Sequence, residues 1–296
     1  MRRPLVRLAT IAVVAVLVAA CGGAAGPSPS PSPVPSPEPP ADAFRLRLTA
    51  TQAIPPIERF GWGSQVAITG DGVLVLPGAV PAIYPGPLVT PLFGRALSDA
   101  GWAEIVELAR SLAILVDGGT FVGQAPAPGA MLGKVEIVAD GRLITFTGDP
   151  SGQIMCITTP CDPPPGTDAA FGEFWRRVSD LQTWMPGELG PEGPYLPAGY
   201  ALLIGPPAAP EAGIVPQVMD WPLAVPLATA GVPVAGSGLR CVEVTGDDAA
   251  LLAPALGAAN QLTQWVQDPD TSATFGLRVQ PLVAGERPCT ELFGAG

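Results

Sequence analysis

The sequence predicts an α+β fold in which antiparallel sheets are covered by a few amphipathic helices. Residues 66–76 and 135–145 each have the pattern of a β-hairpin around an Asp-Gly turn. Each hairpin is followed by a segment whose apolar residues recur at the three- and four-residue spacing of a core-facing helix. Asp-Gly suits type I′ turns, whose central residues need positive φ, so both segments are expected to form tight hairpins.

Both helices have a candidate N-cap. The first is predicted to begin after Ser98, with Leu97 packing onto Trp102, and the second after Thr167. The apolar positions are Trp102, Ile105, Val106, Ala109, Leu112 and Ala113 in the first helix and Phe171, Phe174, Trp175, Val178 and Leu181 in the second. These spacings predict that each helix turns one face to a core.

The two hairpin-helix segments have the same internal spacing. From Asp71 to Ser98 and from Asp140 to Thr167 the interval is 27 residues, and the offset between the two segments is 69 residues. This favours a duplicated ββα unit in the N-terminal half, with two hairpins in one sheet and two helices on one face. The alternative is coincidence, because hairpins followed by helices share residue types for physical reasons.

Residues 43–186 are predicted to form an α+β domain, and residues 187–296 a β-rich region that packs with it or separately. The boundary is suggested by the proline- and glycine-rich run 186–194. Beyond it, strands are predicted near 200–204, 218–225 and 239–244. A helix is predicted from Asp247, with Pro254 either kinking it or lying in its first turn. The segments 262–266 and 274–280 are predicted to form a hairpin around Asp268-Pro269-Asp270.

Two long stretches, 72–94 and 221–239, contain no charged residue. Their hydropathy resembles that of membrane helices, but several prolines interrupt each one. Interior prolines break helical hydrogen bonding, and irregular backbone is not tolerated in lipid. Both stretches are therefore predicted to be buried extended segments or apolar loops of the folded domain.

The N-terminus has the three parts of a secretory signal: Arg2, Arg3 and Arg7, an apolar run over 8–20, and small residues before Cys21. The segment Leu17-Val18-Ala19-Ala20-Cys21 resembles the lipobox of bacterial lipoproteins. That resemblance implies removal of residues 1–20, lipidation of Cys21 and an extracytoplasmic, membrane-anchored protein. An uncleaved helix is the alternative, but thirteen apolar residues are short for a bilayer that needs about 20.

Residues 21–42 are predicted to be a linker, since eight of the fourteen residues in 27–40 are proline. Such a segment favours polyproline II and reaches roughly 40 Å at about 3.1 Å per residue.

Without residues 1–20, 12 basic and 26 acidic residues remain, a net charge of −14. This charge argues against nucleic acid as a partner, because phosphate binding requires Lys and Arg.

Four cysteines follow Cys21, and an even number in an exported domain indicates disulfides. Of three possible connectivities we favour Cys156–Cys161 and Cys241–Cys289. Zinc is the alternative, but these spacings do not match paired C-x₂-C knuckles.

The segment with Arg240-Cys241, Leu262-Thr263-Gln264-Trp265, 277–282 and Cys289 resembles the C-terminal part of uncharacterised lipoproteins from high-GC bacteria. The resemblance covers about the last fifty residues. It implies no activity and supports the Cys241–Cys289 pairing.

The chain has no histidine and a single lysine, Lys134. Ser-His-Asp and Cys-His sites and histidine metal ligands are therefore excluded. Lys134 lies in no Ser-x-x-Lys pattern, and neither a P-loop nor a dinucleotide-binding loop occurs. We predict no cofactor, no metal and no catalytic residue from these motifs.

An active site built from carboxylates remains possible, since a glycosidase needs only two carboxyl groups at a suitable distance. Glu104 and Glu173 are interpreted as solvated helix-face residues, Asp247-Asp248 as a helix start, and Asp268-Pro269-Asp270 as a turn, with calcium as a minor alternative. Trp62, between two glycines, is interpreted as a packing residue rather than a sugar-stacking platform.

Two hypotheses of function follow. The favoured one is a non-catalytic lipoprotein that binds a partner of the cell envelope or the exterior. The alternative is a carboxylate-dependent hydrolase of cell-wall or external polysaccharide. A cleft with two facing carboxylates, one of raised pKa, would favour the enzyme. The substrate-binding subunit of an importer fits less well, because no alternating β-α pattern is visible.

Overall fold

Two β-sheets with mostly antiparallel strands form the framework of the protein, which confirms the predicted α+β class. The computed structural model describes residues 43–51, 55–123, 131–152, 163–267, 273–283 and 285–294. All of these belong to one compact unit.

The first sheet consists of β1 (Phe44–Thr51), β2 (Val66–Thr69), β3 (Val73–Pro77), β4 (Leu92–Ala96), β5 (Thr120–Phe121), β6 (Leu132–Ala139), β7 (Arg142–Gly148) and β8 (Gly193–Pro194). Their order is β5-β7-β6-β1-β2-β3-β4-β8, and only β5 and β7 pair in parallel. Strand β8 comes from the proline- and glycine-rich run 186–194. The first sheet therefore continues past the boundary predicted at residue 186.

The second sheet consists of β9 (Gly199–Gly205), β10 (Val218–Asp220), β11 (Val232–Pro233), β12 (Arg240–Thr245), β13 (Gln264–Val266) and β14 (Thr274–Leu282), in the order β10-β13-β14-β9-β12-β11. The strands predicted near 200–204 and 239–244 are confirmed. The strand predicted at 218–225 is limited to β10, which pairs in parallel with β13. Strands β13 and β14 form the predicted closing pair, and residues 268–270 lie outside the described residues.

The helices are α1 (Pro56–Arg59), α2 (Asp99–Ser111), α3 (Asp168–Ser179), α4 (Leu181–Trp184), α5 (Gly246–Ala258) and α6 (Pro288–Phe293). Both predicted N-caps are confirmed. The side chain of Ser98 accepts a hydrogen bond from the Gly101 amide, and that of Thr167 accepts one from the Ala170 amide. In α5, Pro254 lies well inside the helix rather than in its first turn.

Helices α2 and α3 bury their apolar stripes against the first sheet. The predicted positions are buried or half-buried except Ala113, which is exposed with a φ of 52° just after the end of α2. Ala113 thus turns the chain in the left-handed region instead of packing. Leu181 is buried as predicted, but it belongs to the short α4 rather than to α3.

The two Asp-Gly hairpins have different turns. In the second, Asp140 and Gly141 both have positive φ, 53° and 70°, as a type I′ turn requires. In the first, Gly70, Asp71 and Gly72 form a three-residue loop in which only Gly72 has positive φ, 83°. The prediction of a tight two-residue turn is therefore wrong for the first hairpin, because its extra residue gives a different strand register.

The two hairpin-helix segments lie in one sheet, and both helices pack on the same face of it. However, β2-β3 extends to one side of β1 and β6-β7 to the other, while β2 and β6 run in the same direction. A rotation that superposes one hairpin on the other must flip the sheet, which would move its helix to the opposite face. The duplicated unit is therefore not found as two superposable copies.

The uncharged stretch 221–239 forms a loop region with buried apolar side chains, as predicted, among them Trp221, Leu227 and Val234. Residues 72–94 supply β3 and β4, and the loop between them exposes Val80, Ile83 and Tyr84, with Ile83 65% exposed. This segment is therefore an apolar loop, one of the two predicted forms, and its middle part is exposed rather than buried. Among the described residues, no helix is long and apolar enough to cross a membrane.

The disulfide Cys241–Cys289 is present and joins β12 to α6. Cys21, the linker and the predicted pair Cys156 and Cys161 lie outside the described residues. The bonded cysteines lie in a cluster with Phe60 and Leu282, and Ile57 and Phe293 pack against it. This cluster fastens α1 and α6 to one face of the second sheet.

Candidate functional site

Trp62 is presented at the surface by the loop that follows α1. Its side chain is 44% exposed, and the other five tryptophans are buried or half-buried. The interpretation of Trp62 as an ordinary packing residue is therefore wrong. The preceding Gly61 has a φ of 96°, a backbone conformation that L side chains rarely adopt. This turn directs the chain so that the indole lies outside the core.

The Trp62 loop is held in place by side chains from the C-terminal part of the chain. The Gly61 amide donates to Gln280 Oε1 at 3.3 Å, and the amide and hydroxyl of Ser64 donate to Glu286 Oε1 at 2.9 and 2.6 Å. Arg278 donates to the Ile57 carbonyl in α1 and to the Phe60 carbonyl just after it, and its guanidinium lies over the Phe60 ring. Trp62 is thus exposed on a loop fixed by several hydrogen bonds, which reduces the entropy lost on binding.

Below this loop lies the face of the first sheet that is turned away from α2 and α3. Arg47 on β1 and Glu136 on β6 are direct cross-strand partners on it. Arg47 Nη2 is 2.9 Å from Glu136 Oε2, and Lys134 Nζ is 2.9 Å from Glu136 Oε1. The Arg47 side chain is only 4% exposed. Both oxygens of Glu136 are therefore occupied by cations.

Two further carboxylates face this floor from the C-terminal segment. Glu286 is buried, and besides Ser64 it accepts the Val283 amide at 3.0 Å, so it serves to position the loop. Glu291 on α6 is paired more loosely: of the described cations, only Arg47 lies within 4.0 Å, with its Nη1 at 3.7 Å from Oε1. Glu291 is thus the carboxylate of this group with hydrogen-bonding capacity left for a ligand.

The environment of Glu291 raises the pKa of its carboxyl group. Loss of solvent is the largest cause, and Glu136 and Glu286 add to it, whereas Arg47 and Lys134 act in the opposite direction. About half of the side chain, 47%, remains exposed, so solvent screening limits the effect. Glu291 therefore keeps its proton to a higher pH than an ordinary glutamate.

Two adjoining depressions meet at Trp62, and we call them together the Trp62 cleft. The first has a volume of about 260 Å³ and is lined by Pro77, Leu92, Pro281 and Val283 among others. The second, of about 160 Å³, contains Arg47, Arg59, Lys134, Glu136 and Glu291. Both share Ala50, Trp62, Gly63, Ser64, Gln280 and Glu286. The cleft therefore combines an apolar side, a charged side and an aromatic ring between them.

A third depression of about 580 Å³ lies beside the disulfide. Arg287 and Glu243 in its lining pair with each other at 2.6 Å, Glu286 also lines it, and none of its described lining residues is aromatic. It therefore offers a ligand less than the Trp62 cleft does.

Of the candidate residues predicted from the sequence, Trp62 lies in the cleft, whereas the carboxylates Glu104, Glu173, Asp247 and Asp248 do not. Glu104 is exposed on α2, and Glu173 on α3 is paired with Arg176 and Arg177. Asp247 and Asp248 lie in the first turn of α5, as predicted. The missed signal is the alternation of charged and apolar residues in β1 and β6, which marks two strands with one polar face.

Among the described residues, no group of three or more Cys, Asp or Glu could hold a metal ion. In comparisons with known proteins, no protein family, no curated protein and no solved structure matches the chain. The function of the Trp62 cleft must therefore be argued from its own chemistry.

Proposed function

We propose that the chain is an extracytoplasmic lipoprotein, anchored through lipid on Cys21, whose folded domain binds a saccharide of the cell envelope in the Trp62 cleft. The observation that carries this proposal is the exposed Trp62, fixed above convergent polar groups. An indole ring can stack on the apolar face of a sugar, while Gln280 and Glu291 can hydrogen-bond its hydroxyls.

The shape of the cleft supports binding. Ligand sites commonly combine apolar walls with a few placed polar groups, and the cleft has both. A large aromatic side chain that is partly exposed on a fixed loop offers its uncovered ring surface to a ligand. Tryptophans in such positions often dominate the energy of recognition.

The mutation Trp62→Ala should weaken saccharide binding and leave stability nearly unchanged. Loss of an aromatic anchor of this kind corresponds to about 2 kcal/mol, or roughly a thirtyfold higher Kd. The measurement is binding of the full chain in detergent to an array of wall and extracellular glycans, followed by calorimetry on the best ligand.

Tyr84→Ala is the matched control, because Tyr84 is similarly exposed but lies outside the cleft. We expect it to bind like the wild type. Absence of binding to every glycan, or equal affinity of the Trp62→Ala variant, would contradict a saccharide site in this cleft.

A carboxylate-dependent hydrolase is the second candidate, and the raised pKa of Glu291 in the cleft favours it. A glycosidase also needs a second carboxylate that attacks the sugar or activates water. Glu136 is occupied by two cations, and Glu286 by the Ser64 and Val283 donors. Binding without turnover is therefore the better supported function. Release of reducing ends that disappears in a Glu291→Gln variant would reverse this preference.

The lipid anchor yields a separate prediction. Protein extracted from membranes should lack residues 1–20 and carry acyl chains on Cys21, because the lipobox-like segment follows a run of signal-peptide length. Intact-mass spectrometry measures both changes, and a Cys21→Ser variant should carry no lipid. A full-length chain with an unmodified Cys21 would refute the anchor and leave the saccharide site unaffected.

A further inference from the structure

We infer that the saccharide bound in the Trp62 cleft carries a carboxylate, and that Arg59 is the residue that recognises it. This inference rests on the proposed function of the cleft. Arg59 is the last residue of α1 and lies three positions before Trp62. The Trp62 amide donates to the Arg59 carbonyl at 3.0 Å, and both side chains line the charged depression. The guanidinium and the indole are thus held on one turn beside the same space.

Arg59 differs from the other cations of the cleft because no described residue forms an ion pair with it. Arg47 and Lys134 both pair with Glu136. Within the described part of the chain, no carboxylate lies within 4.0 Å of the Arg59 guanidinium, and its Nε is shielded from solvent without a hydrogen-bond partner. In a chain of net charge −11, a half-buried arginine without a counter-ion among the described residues is a place where a ligand anion gains most.

The remaining groups limit what kind of anion fits. Glu136, Glu286 and Glu291 surround the same depression, so a doubly charged phosphate would meet more repulsion than a singly charged carboxylate. A guanidinium can bind the two oxygens of a carboxylate side by side. A sugar acid also retains the apolar ring face that stacks on Trp62 and the hydroxyls that Gln280 and Glu291 can bind. A uronic-acid unit therefore offers a carboxylate for Arg59, a ring face for Trp62 and hydroxyls for Gln280 and Glu291.

The test compares acidic oligosaccharides with their methyl esters, which keep the ring and hydroxyls but lose the charge. Calorimetry on the full chain in detergent should use uronic-acid oligosaccharides, the corresponding methyl esters, neutral glycans and glycan phosphates. We expect the acids to bind at least roughly tenfold more tightly than their esters. Arg59→Gln should abolish this preference, Arg59→Lys should retain part of it, and Arg142→Gln, which changes an exposed arginine outside the cleft, should leave it intact.

The outcomes separate this inference from the proposed function. Equal binding of acids and esters, with both weakened by Trp62→Ala, would overturn the role of Arg59 and keep the saccharide site. Preference for phosphates over carboxylates would overturn the carboxylate class. A preference that survives in Arg59→Gln would assign the anion to another residue. Failure of every saccharide to bind would remove the proposed function itself.

Discussion

Replacing Arg47 with methionine is expected to lower the free energy of unfolding by roughly 3 kcal/mol, because it leaves Glu136 buried with one cation fewer. Arg47 Nη2 contacts Glu136, and Nη1 donates to the Gly285 carbonyl at 2.8 Å. The substitution therefore removes the ion pair with Glu136 on β6 and the hydrogen bond to the C-terminal segment at Gly285. Lys134 still pairs with Glu136, so the loss should lie at the lower end of the range for a broken buried ion pair. Urea unfolding measures the change.

The double variant Arg47→Met with Glu136→Met is the informative control. It removes both charges and replaces them with apolar groups, which often restores the stability of a buried pair. We expect it to recover more than half of the loss, while Lys134 turns to solvent. A single variant as stable as the wild type would mean that the pair contributes nothing. A double variant less stable than the single one would mean that the charges are required for packing.

Removing the Cys241–Cys289 bridge should have the largest effect on stability, about 4 kcal/mol in the chain-entropy model for a separation of 48 residues. The Cys241→Ala/Cys289→Ala variant, unfolded in guanidinium chloride, measures it. The bridge lies between β12 and α6, and α6 carries Glu291 at the edge of the cleft. Saccharide binding should therefore weaken together with stability.

A Cys156→Ser/Cys161→Ser variant serves as the comparison for the Cys241–Cys289 variant. Its loop would contain far fewer residues, so the same entropy model gives a loss of only about 2 kcal/mol if those cysteines are bonded. Unchanged stability after removal of Cys241 and Cys289 would show that the cluster around Phe60 fastens α6 without the covalent bond. Four reactive thiols in the denatured, unreduced protein beyond Cys21 would contradict both bridges.

Local patterns in the sequence were sufficient for the hairpins β2-β3 and β6-β7 and for the helices α2 and α3, whereas β1, β4, β5 and β8 were not predicted. Ser98 and Thr167 cap their helices as predicted, because capping involves only residues within one turn. The Asp140-Gly141 turn was predictable for the same reason. The Asp71-Gly72 turn was not, since the register of β2 and β3, which depends on cross-strand packing, selected a three-residue loop.

Long-range pairing decided the parts that local patterns do not contain. The 27-residue intervals suggested a repeat, but the order of strands around β1 gives the two segments opposite arrangements in the sheet. In the same way, β8 joined the first sheet although its proline- and glycine-rich sequence indicated a boundary. Strand order depends on contacts between residues far apart in the chain. It therefore cannot be predicted from the spacing of residues within one segment of the sequence.

By itself, the sequence determined the chemistry that this protein lacks and the elements from which it is built. The absence of histidine and the single lysine exclude whole classes of active site whatever the fold. Only the tertiary structure decided where the remaining groups meet. Arg59 and Trp62 come from one turn, Lys134 from the first sheet and Glu291 from the last helix. They converge because β14 and the disulfide bring the C-terminal segment across the first sheet, and such convergence depends on packing between residues more than 200 positions apart.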